Sequence, residues 1–193
     1  DGTGSSASVA GWKGNATRSQ DTLLGEPATK VVFDAGTSYV YGAQEHMTAL
    51  YTDYVGRSTR SMRVKIEDGF YFGIRVAGMT ATSYFPEDGR YHAVFDLDDG
   101  TLVYAGTLVN DNEYSITKVS EGIFDVSFTS PFFGDNPHYN GIAVGLIPKD
   151  GDASEWVHTI DTPTTMYITR TQVEAADHSS SYIPTSGTSV TRV

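Results

Sequence analysis

Turn-forming clusters recur at short intervals along the 193-residue chain, and this spacing limits the fold more than any other feature. The segments between them are short and rich in Val, Ile, Thr, Tyr and Phe. Such segments, bounded by turn signals, are typical of an all-β sandwich or barrel. The clusters are Gly25-Glu26-Pro27, Glu67-Asp68-Gly69, Pro86-Glu87-Asp88-Gly89, Asp98-Asp99-Gly100, Asn110-Asp111-Asn112, Gly134-Asp135-Asn136-Pro137 and Lys149-Asp150-Gly151-Asp152.

In two of these segments, Phe70–Val76 and Tyr91–Leu97, successive residues fall alternately on two opposite faces, a pattern typical of antiparallel sheets. Period-2 alternation predicts one face in the core and one face toward solvent. The cluster Asp98-Asp99-Gly100 predicts a hairpin between Tyr91–Leu97 and Thr101–Ala105. Further strands are predicted at Lys30–Asp34, Ser38–Tyr41, Ser61–Ile66, Tyr114–Val119, Ile123–Thr129, Ile142–Ile147 and Thr165–Val173.

The length of the chain fits one domain, because all-β sandwiches of this size fold as single units. Residues 1–11 are small and polar and are interpreted as a linker or N-terminal arm, which leaves 12–193 as the domain. The start at Asp1 rather than Met is typical of a processed product or a fragment. Within 43–54, apolar residues at helical spacing are compatible with one short helix or with an irregular loop.

The charge balance argues against two classes of partner. The chain has 13 Lys and Arg residues against 24 Asp and Glu, a formal net charge of -11. Nucleic-acid binding needs cations that replace the counterions of phosphate, and no polybasic anchor or membrane-length apolar run is present. We therefore expect no nucleic-acid and no membrane partner. With no cysteine in the sequence, disulfide bonds and thiolate zinc sites are excluded.

Motifs for catalysis are absent from the sequence. It contains no G-x-S-x-G elbow, P-loop, G-x-G-x-x-G or H-E-x-x-H, and its five histidines form no chelating pair. Most aspartates lie in turns, where side-chain hydrogen bonds to the backbone account for them. Turn chemistry is also preferred over a calcium site for 96–99 and 150–152. These observations predict a protein that is not an enzyme and has no metal and no cofactor.

Aromatic residues in predicted loops supply the candidate ligand-binding residues. Glycan sites pair aromatic rings with a few polar groups that recognise hydroxyls. The richest cluster runs from 132 to 139 and mixes rings with amide and imidazole groups. The alternative is that these rings anchor loops against the sandwich. The candidates are Trp156, Tyr139, His138, Phe133 and Asn136.

The C-terminal part of the sequence carries a recognisable signature. Gln172-Val173-Glu174, Ser180–Gly187 (SSYIPTSG) and Val190-Thr191-Arg192 follow one another in the order of that signature. This segment resembles the C-terminal signature of many bacteriophage tail fibre, tailspike and other virion proteins. Looser similarity extends upstream to Gly25, although Ile123-Phe124 stands where the family has Trp-Tyr. The resemblance implies a galactose-binding-like or carbohydrate-binding-module-like sandwich, so the expected fold is an antiparallel β-sandwich of jelly-roll type.

The resemblance also implies a place on the virion surface. The leading hypothesis is a non-catalytic module of a phage virion protein that binds polysaccharide or cell-surface glycan. Other virion subunits and further copies of the chain, as a homo-oligomer, are its expected partners. One alternative is an architectural domain for oligomerisation or for capsid or tail decoration without glycan binding. A second alternative is a polysaccharide depolymerase.

Overall fold

The computed structural model describes residues 12–13, 16–36, 39–42, 57–67, 69–77, 92–106, 114–131, 141–155 and 158–174. All regular structure in these residues is β-strand. The short helix that the sequence allowed at 43–54 lies outside the described residues, as does the arm at 1–11. No helix in the described ranges is long and apolar enough to cross a membrane.

Twelve strands are present in the described ranges. In chain order they are β1 (Trp12–Lys13), β2 (Ala16–Leu23), β3 (Glu26–Phe33), β4 (Tyr39–Gly42), β5 (Arg57–Ile66), β6 (Phe70–Ala77), β7 (His92–Asp96), β8 (Thr101–Ala105), β9 (Tyr114–Ser120), β10 (Ile123–Pro131), β11 (Gly141–Pro148) and β12 (Thr164–Glu174).

The strands form two six-stranded sheets in which every neighbouring pair is antiparallel. Sheet A has the order β1-β4-β11-β6-β7-β8, and sheet B has the order β2-β3-β12-β5-β10-β9. The chain passes from β3 in sheet B to β4 in sheet A, then back to β5 and again to β6. The same exchange recurs along β10, β11 and β12. The eight strands β3–β7 and β10–β12 thus lie in the orders β4-β11-β6-β7 and β3-β12-β5-β10. This is the arrangement of a jelly roll, which confirms the predicted fold class.

Each of the ten strands predicted from the sequence is present, and Thr101–Ala105 has the predicted bounds. Strands β1 and β2 were not predicted. Strand β2 is mostly polar and exposed, because it lies at the edge of sheet B, and so it shows no hydrophobic alternation. It pairs with β3 through a two-residue turn in which Leu24 and Gly25 both have positive φ (53° and 77°), the conformation that tight hairpins favour.

The core lies between the inward faces of the two sheets. Phe72 of β6 pairs with Phe95 of β7 across sheet A, and both side chains are fully buried. From sheet B, Met62, Phe128 and Ile168 enter the same cluster. Burial of large apolar side chains of this kind supplies the main driving force for folding.

The prediction that the second face of Tyr91–Leu97 points to solvent was wrong. His92 and Val94 lie on that outer face of β7, and both are buried. A backbone carbonyl reaches His92 from the chain that follows β11. The outer face of sheet A is therefore covered at β7 by chain distant in sequence.

Candidate functional site

The five predicted ligand-binding residues, Trp156, Tyr139, His138, Phe133 and Asn136, all lie outside the described residues. What the structure does describe is the chain on both sides of Trp156. Residues 149–155, here called the strap, leave the end of β11, and residues 158–163 lead from beyond Trp156 to β12. These flanking residues are built into the fold by several specific contacts.

The first anchor of the strap is Lys149. Its Nζ donates to both carboxylate oxygens of Asp96 at 3.0 Å and to Oδ2 of Asp98 at 2.6 Å. The same ammonium lies 5.4 Å from the centre of the Tyr71 ring, a cation–π distance. The hydrogen bonds that Lys149 donates to Asp98 and then to Asp96 raise its pKa against the opposing effect of burial. The ammonium therefore stays charged and ties the strap to the turn between β7 and β8.

The second anchor is His92, whose side chain is buried on the outer face of β7. Its Nε2 lies 2.9 Å from the carbonyl oxygen of Ala153, and its ring centre lies 5.0 Å from that of Tyr104. A carbonyl can only accept, so this nitrogen is the protonated one in the bond. The bond holds the middle of the strap against sheet A.

The chain is also fixed beyond Trp156. Nε2 of His158 lies 3.0 Å from the carbonyl oxygen of Glu155, so one hydrogen bond joins the residues that flank positions 156 and 157. Ile160 is buried in the core, and its carbonyl accepts from the amide of Gly36 at 3.0 Å. Together these contacts fix the backbone that leads into and out of the Trp156 position.

In the two turns considered for calcium, aspartate side chains accept hydrogen bonds from nearby residues of the same turn. Oδ1 of Asp99 accepts from the amide of Thr101 at 3.1 Å and from its hydroxyl at 2.7 Å. Oδ1 of Asp152 accepts from the amide and hydroxyl of Ser154 at 2.8 and 2.7 Å. These are the side-chain turns expected from the sequence. In the described part of the chain, no three His, Asp or Glu residues are grouped so that they could hold a metal ion.

A second polar feature, here called the ion-pair row, crosses four strands on the outer face of sheet B. Arg170 of β12 donates from Nε and Nη2 to the carboxylate of Glu26 on β3, with 2.7 Å for the Nε contact. Arg63 of β5 donates to both oxygens of Asp125 on β10 at 2.7 and 2.9 Å. Nη1 of Arg63 also lies 3.8 Å from Glu26. The row thus links β3, β12, β5 and β10 through side chains.

A β-bulge places Arg170 in this row. The pairing of β12 with β5 shifts between Thr169 and Gln172, and Arg170 has a φ of 54°. Positive φ is uncommon for a residue other than glycine, and bulges redirect side chains. The strain is offset by the bidentate pair that Arg170 makes with Glu26.

The charged carboxylate of Glu26 is suited to joining strands and is not suited to acid catalysis. The hydrogen bond from Arg170 is the largest of the effects that lower the pKa of Glu26. A general acid must hold a proton at neutral pH, which requires a raised pKa. Glu26 is therefore a carboxylate that accepts hydrogen bonds, and it cannot donate a proton to a glycosidic oxygen.

The lowered pKa of Glu26 predicts a specific loss of stability in acid. The folded pKa lies below the ordinary value of 4.5, so this stabilisation is complete above about pH 4.5 and disappears as the pH falls through the folded value. Because the side chain is about one-third exposed, we expect wild type to lose about 1 kcal/mol more than Glu26→Gln between about pH 6 and about pH 3. Urea unfolding at several pH values measures the difference. Glu121→Gln, at an exposed pair with Lys118, should match wild type; equal acid losses in wild type and Glu26→Gln would contradict the prediction.

Sequence reasoning did not identify His92, Lys149 or the ion-pair row as important. Lys149 stands 53 residues from Asp96 in the sequence, and Arg170 stands 144 residues from Glu26. No spacing rule connects residues so far apart. His92 has the parity of the outer face of β7, so the sequence pattern predicted a solvent-facing position and gave no sign of its burial.

Comparison with known proteins does not assign the chain to a family. The sequence matches no protein-family model, and no curated protein matches it significantly.

Proposed function

We propose that this domain is a non-catalytic recognition module of a phage virion protein and binds polysaccharide or cell-surface glycan. The observation that carries the proposal is the anchored chain around Trp156. Lys149 and Ala153 fix it on one side, and Ile160 fixes it on the other. A ring presented from a fixed backbone loses little freedom on binding, which is what a flat sugar-binding platform requires.

The jelly roll supports this function as a scaffold. Binding residues commonly lie on loops that a rigid sandwich holds in place. The segment 132–140, which carries Phe133, Asn136, His138 and Tyr139, connects β10 of sheet B to β11 of sheet A. We assign these residues and Trp156 to the glycan site, with the rings against sugar faces and the amide and imidazole groups on hydroxyls.

The resemblance of 172–192 to the C-terminal signature of phage fibre and tailspike proteins supports the virion surface as the location. Proteins displayed on a virion occur in many copies. Weak binding by each copy then becomes strong retention, because the second binding event is effectively intramolecular. The proposal therefore includes a homo-oligomer or an array of virion subunits as the form in which the domain acts.

The test is retention of the domain, clustered on a multivalent carrier, on a broad glycan array. Retention on at least one glycan supports the proposal, and Trp156→Ala should weaken that retention about tenfold or more, as aromatic anchors do. Trp12→Ala replaces the other tryptophan of the chain and is the matched control, with an expected change below about twofold. Failure of every glycan to retain the clustered domain would sink the proposal.

A reducing-end assay on each retained glycan separates recognition from depolymerisation. Retention without release is expected. Release of new reducing ends by wild type would replace the recognition module with an enzyme.

An architectural role is the second candidate, and the exposed edges of the sheets favour it. Val103 of β8 and Val119 of β9 are 39% and 37% exposed, and the pairing of both strands is irregular beside these residues. Apolar side chains on an open edge can pack against another subunit. Light scattering distinguishes the two roles: a stable oligomer that no glycan retains would favour assembly.

A further inference from the structure

Three side chains on the outer face of sheet B form a line across neighbouring strands, here called the lysine row. Tyr167 of β12 lies opposite Lys30 of β3 on one side and opposite Lys65 of β5 on the other. Val64 and Met166, the preceding residues on β5 and β12, enter the core, so the row faces outward. Opposite side chains have Cβ atoms about 5 Å apart, which places the ring between two cations.

The protein does not neutralise the two lysines of the row. Within the part of the chain that the structure describes, neither Lys30 nor Lys65 forms an ion pair with a carboxylate, although acidic residues outnumber basic ones by 24 to 13. Lys118 and Lys149, by contrast, are both bonded to carboxylates. Lys65 is exposed and Lys30 is half-buried, so both are open to an external anion.

The Tyr167 ring holds Lys30 without cancelling its charge. Nζ of Lys30 lies 5.8 Å from the centre of the ring, a cation–π distance, and the ring carries no net charge. The ring itself is fixed because it packs against the buried cluster of Leu23, Ala28 and Ile123. The ammonium of Lys30 is therefore positioned while its N–H donors stay available to an acceptor.

The carboxylates beside the row already accept hydrogen bonds from neighbouring residues. They are Asp125, bound by Arg63; Glu67, bound by Thr164 and Thr165; and Asp21, bound by the amide of Thr22. Charges more distant than about 8 Å are screened at physiological salt. A ligand on the row therefore meets the two ammoniums at contact distance and the remote carboxylates only weakly.

We infer that the lysine row binds an acidic polysaccharide whose carboxylate or sulfate groups pair with Lys30 and Lys65. The inference rests on the proposed function and names the class of glycan, but it uses only side chains of sheet B. Strands β3 and β5 are about 10 Å apart, so charges on separate sugars of one chain can reach both lysines. Hydrogen bonds from an ammonium to an anionic oxygen are about twice as strong as neutral ones.

Nucleic acid and anionic membrane fit the lysine row less well than an acidic glycan. Nucleic-acid binding gains its free energy by neutralising several phosphates, and recognition of an anionic membrane needs a cluster of about four to eight basic residues. Two ammoniums satisfy neither requirement. An extended sugar chain can lie on the open face of the sheet and place charged sugars at the two lysines.

Matched glycans on one backbone test the inference. Polygalacturonate is compared with its methyl ester, and dextran sulfate with dextran, for retention of the domain clustered on a carrier. We expect the acidic member of at least one pair to retain the domain about tenfold more strongly at low salt, and the difference to disappear at high salt. Retention by neutral glycans alone, or equal retention by single-stranded DNA, would overturn the inference and leave the recognition function standing. No retention by any glycan would overturn both.

Removal of one charge at a time locates the site. Lys30→Gln and Lys65→Gln should each lower retention on the acidic glycan about fivefold, because each removes a charge-assisted contact. Lys118→Gln is the matched control: it makes the same change of net charge in sheet B, at a lysine already bound to Glu121, and should alter retention less than about twofold. Equal losses in all three variants, or no loss in the two row variants, would contradict a role for the lysine row.

Lysine acetylation of the folded wild-type domain gives a second readout. Bound acidic glycan should lower the modification of Lys30 and Lys65 about threefold, whereas that of Lys118 should change less than about 1.5-fold, because only the row lysines are covered. Peptide mass spectrometry measures each site. Unchanged modification of both row lysines under conditions where the glycan is retained would place the binding elsewhere and overturn the inference.

Discussion

We expect Gly100→Ala to destabilise the domain by about 2–4 kcal/mol and to lower its Tm by about 6–12 °C. Two independent costs combine at this position. Gly100 has a φ of 76°, where any residue with a Cβ is strained. A Cβ added there would also lie 2.8 Å from Cε1 of Phe124, a ring that is 1% exposed and packed in the core.

Two comparisons separate these costs. Gly122 also has positive φ, 64°, but a Cβ there meets no atom within 4 Å, so Gly122→Ala should cost only the backbone strain, about 1–2 kcal/mol. Adding Phe124→Leu removes the clashing ring atom, so in that background the cost of Gly100→Ala should fall to the Gly122→Ala value. Thermal and urea unfolding of the four variants supply the cycle. Equal losses for Gly100→Ala and Gly122→Ala would show that the ring moves aside without cost.

Phe95→Ala is expected to cost about 3–5 kcal/mol. Phe95 is fully buried in β7 and lies opposite Phe72 in sheet A. Its ring also meets the Tyr114 ring of β9 edge to face, with 6.3 Å between centres, so it joins the two sheets. Truncation removes the transfer free energy of the ring and leaves a cavity between sheets that cannot collapse freely.

The matched control for Phe95 lies on the neighbouring strand. Val103 of β8 is 39% exposed, and Val103→Ala should change the free energy of unfolding by no more than about 0.5 kcal/mol. Urea unfolding measures both variants, with an unchanged m-value showing that the transition stays two-state. A loss below about 1 kcal/mol for Phe95→Ala would mean that the sheets do not depend on this contact.

The Gly100→Ala variant also tests the proposed glycan site, because the strap lies against β7. Gly100 closes the turn that follows Asp96 and Asp98, and these two residues bind Lys149 at the start of the strap. Disturbing that turn should loosen the chain next to Trp156 as well as the core. Under the proposed function, a Gly100→Ala variant that is still folded at low temperature should therefore bind glycan more weakly than Gly122→Ala.

The strands could be predicted from the sequence because their signals are local. Period-2 alternation in Phe70–Val76 and the turn residues after Leu97 act over a few residues, and no distant partner is needed to recognise them. Strand β2 was missed for the same reason: an exposed edge strand has no buried face to impose a pattern.

For the candidate site, too, the sequence revealed local features and missed contacts between distant residues. The sequence identified Trp156 and the aromatic segment 132–139 by composition, and their role in glycan binding is a proposal. It did not identify the contacts around the strap. The bond from His92 to Ala153 spans 61 residues, and the bond from Arg63 to Asp125 spans 62.

The sequence by itself determined the all-β class, most strands, their turns and the strongly acidic charge, since each follows from the residues in a short window or from a count. Only the tertiary structure decided which strands exchange between sheets, why His92 is buried, and which carboxylates Lys149, Arg63 and Arg170 contact. Those outcomes depend on pairing across the sandwich, where the free energy of burying a face or a charge is shared between residues that the sequence keeps far apart.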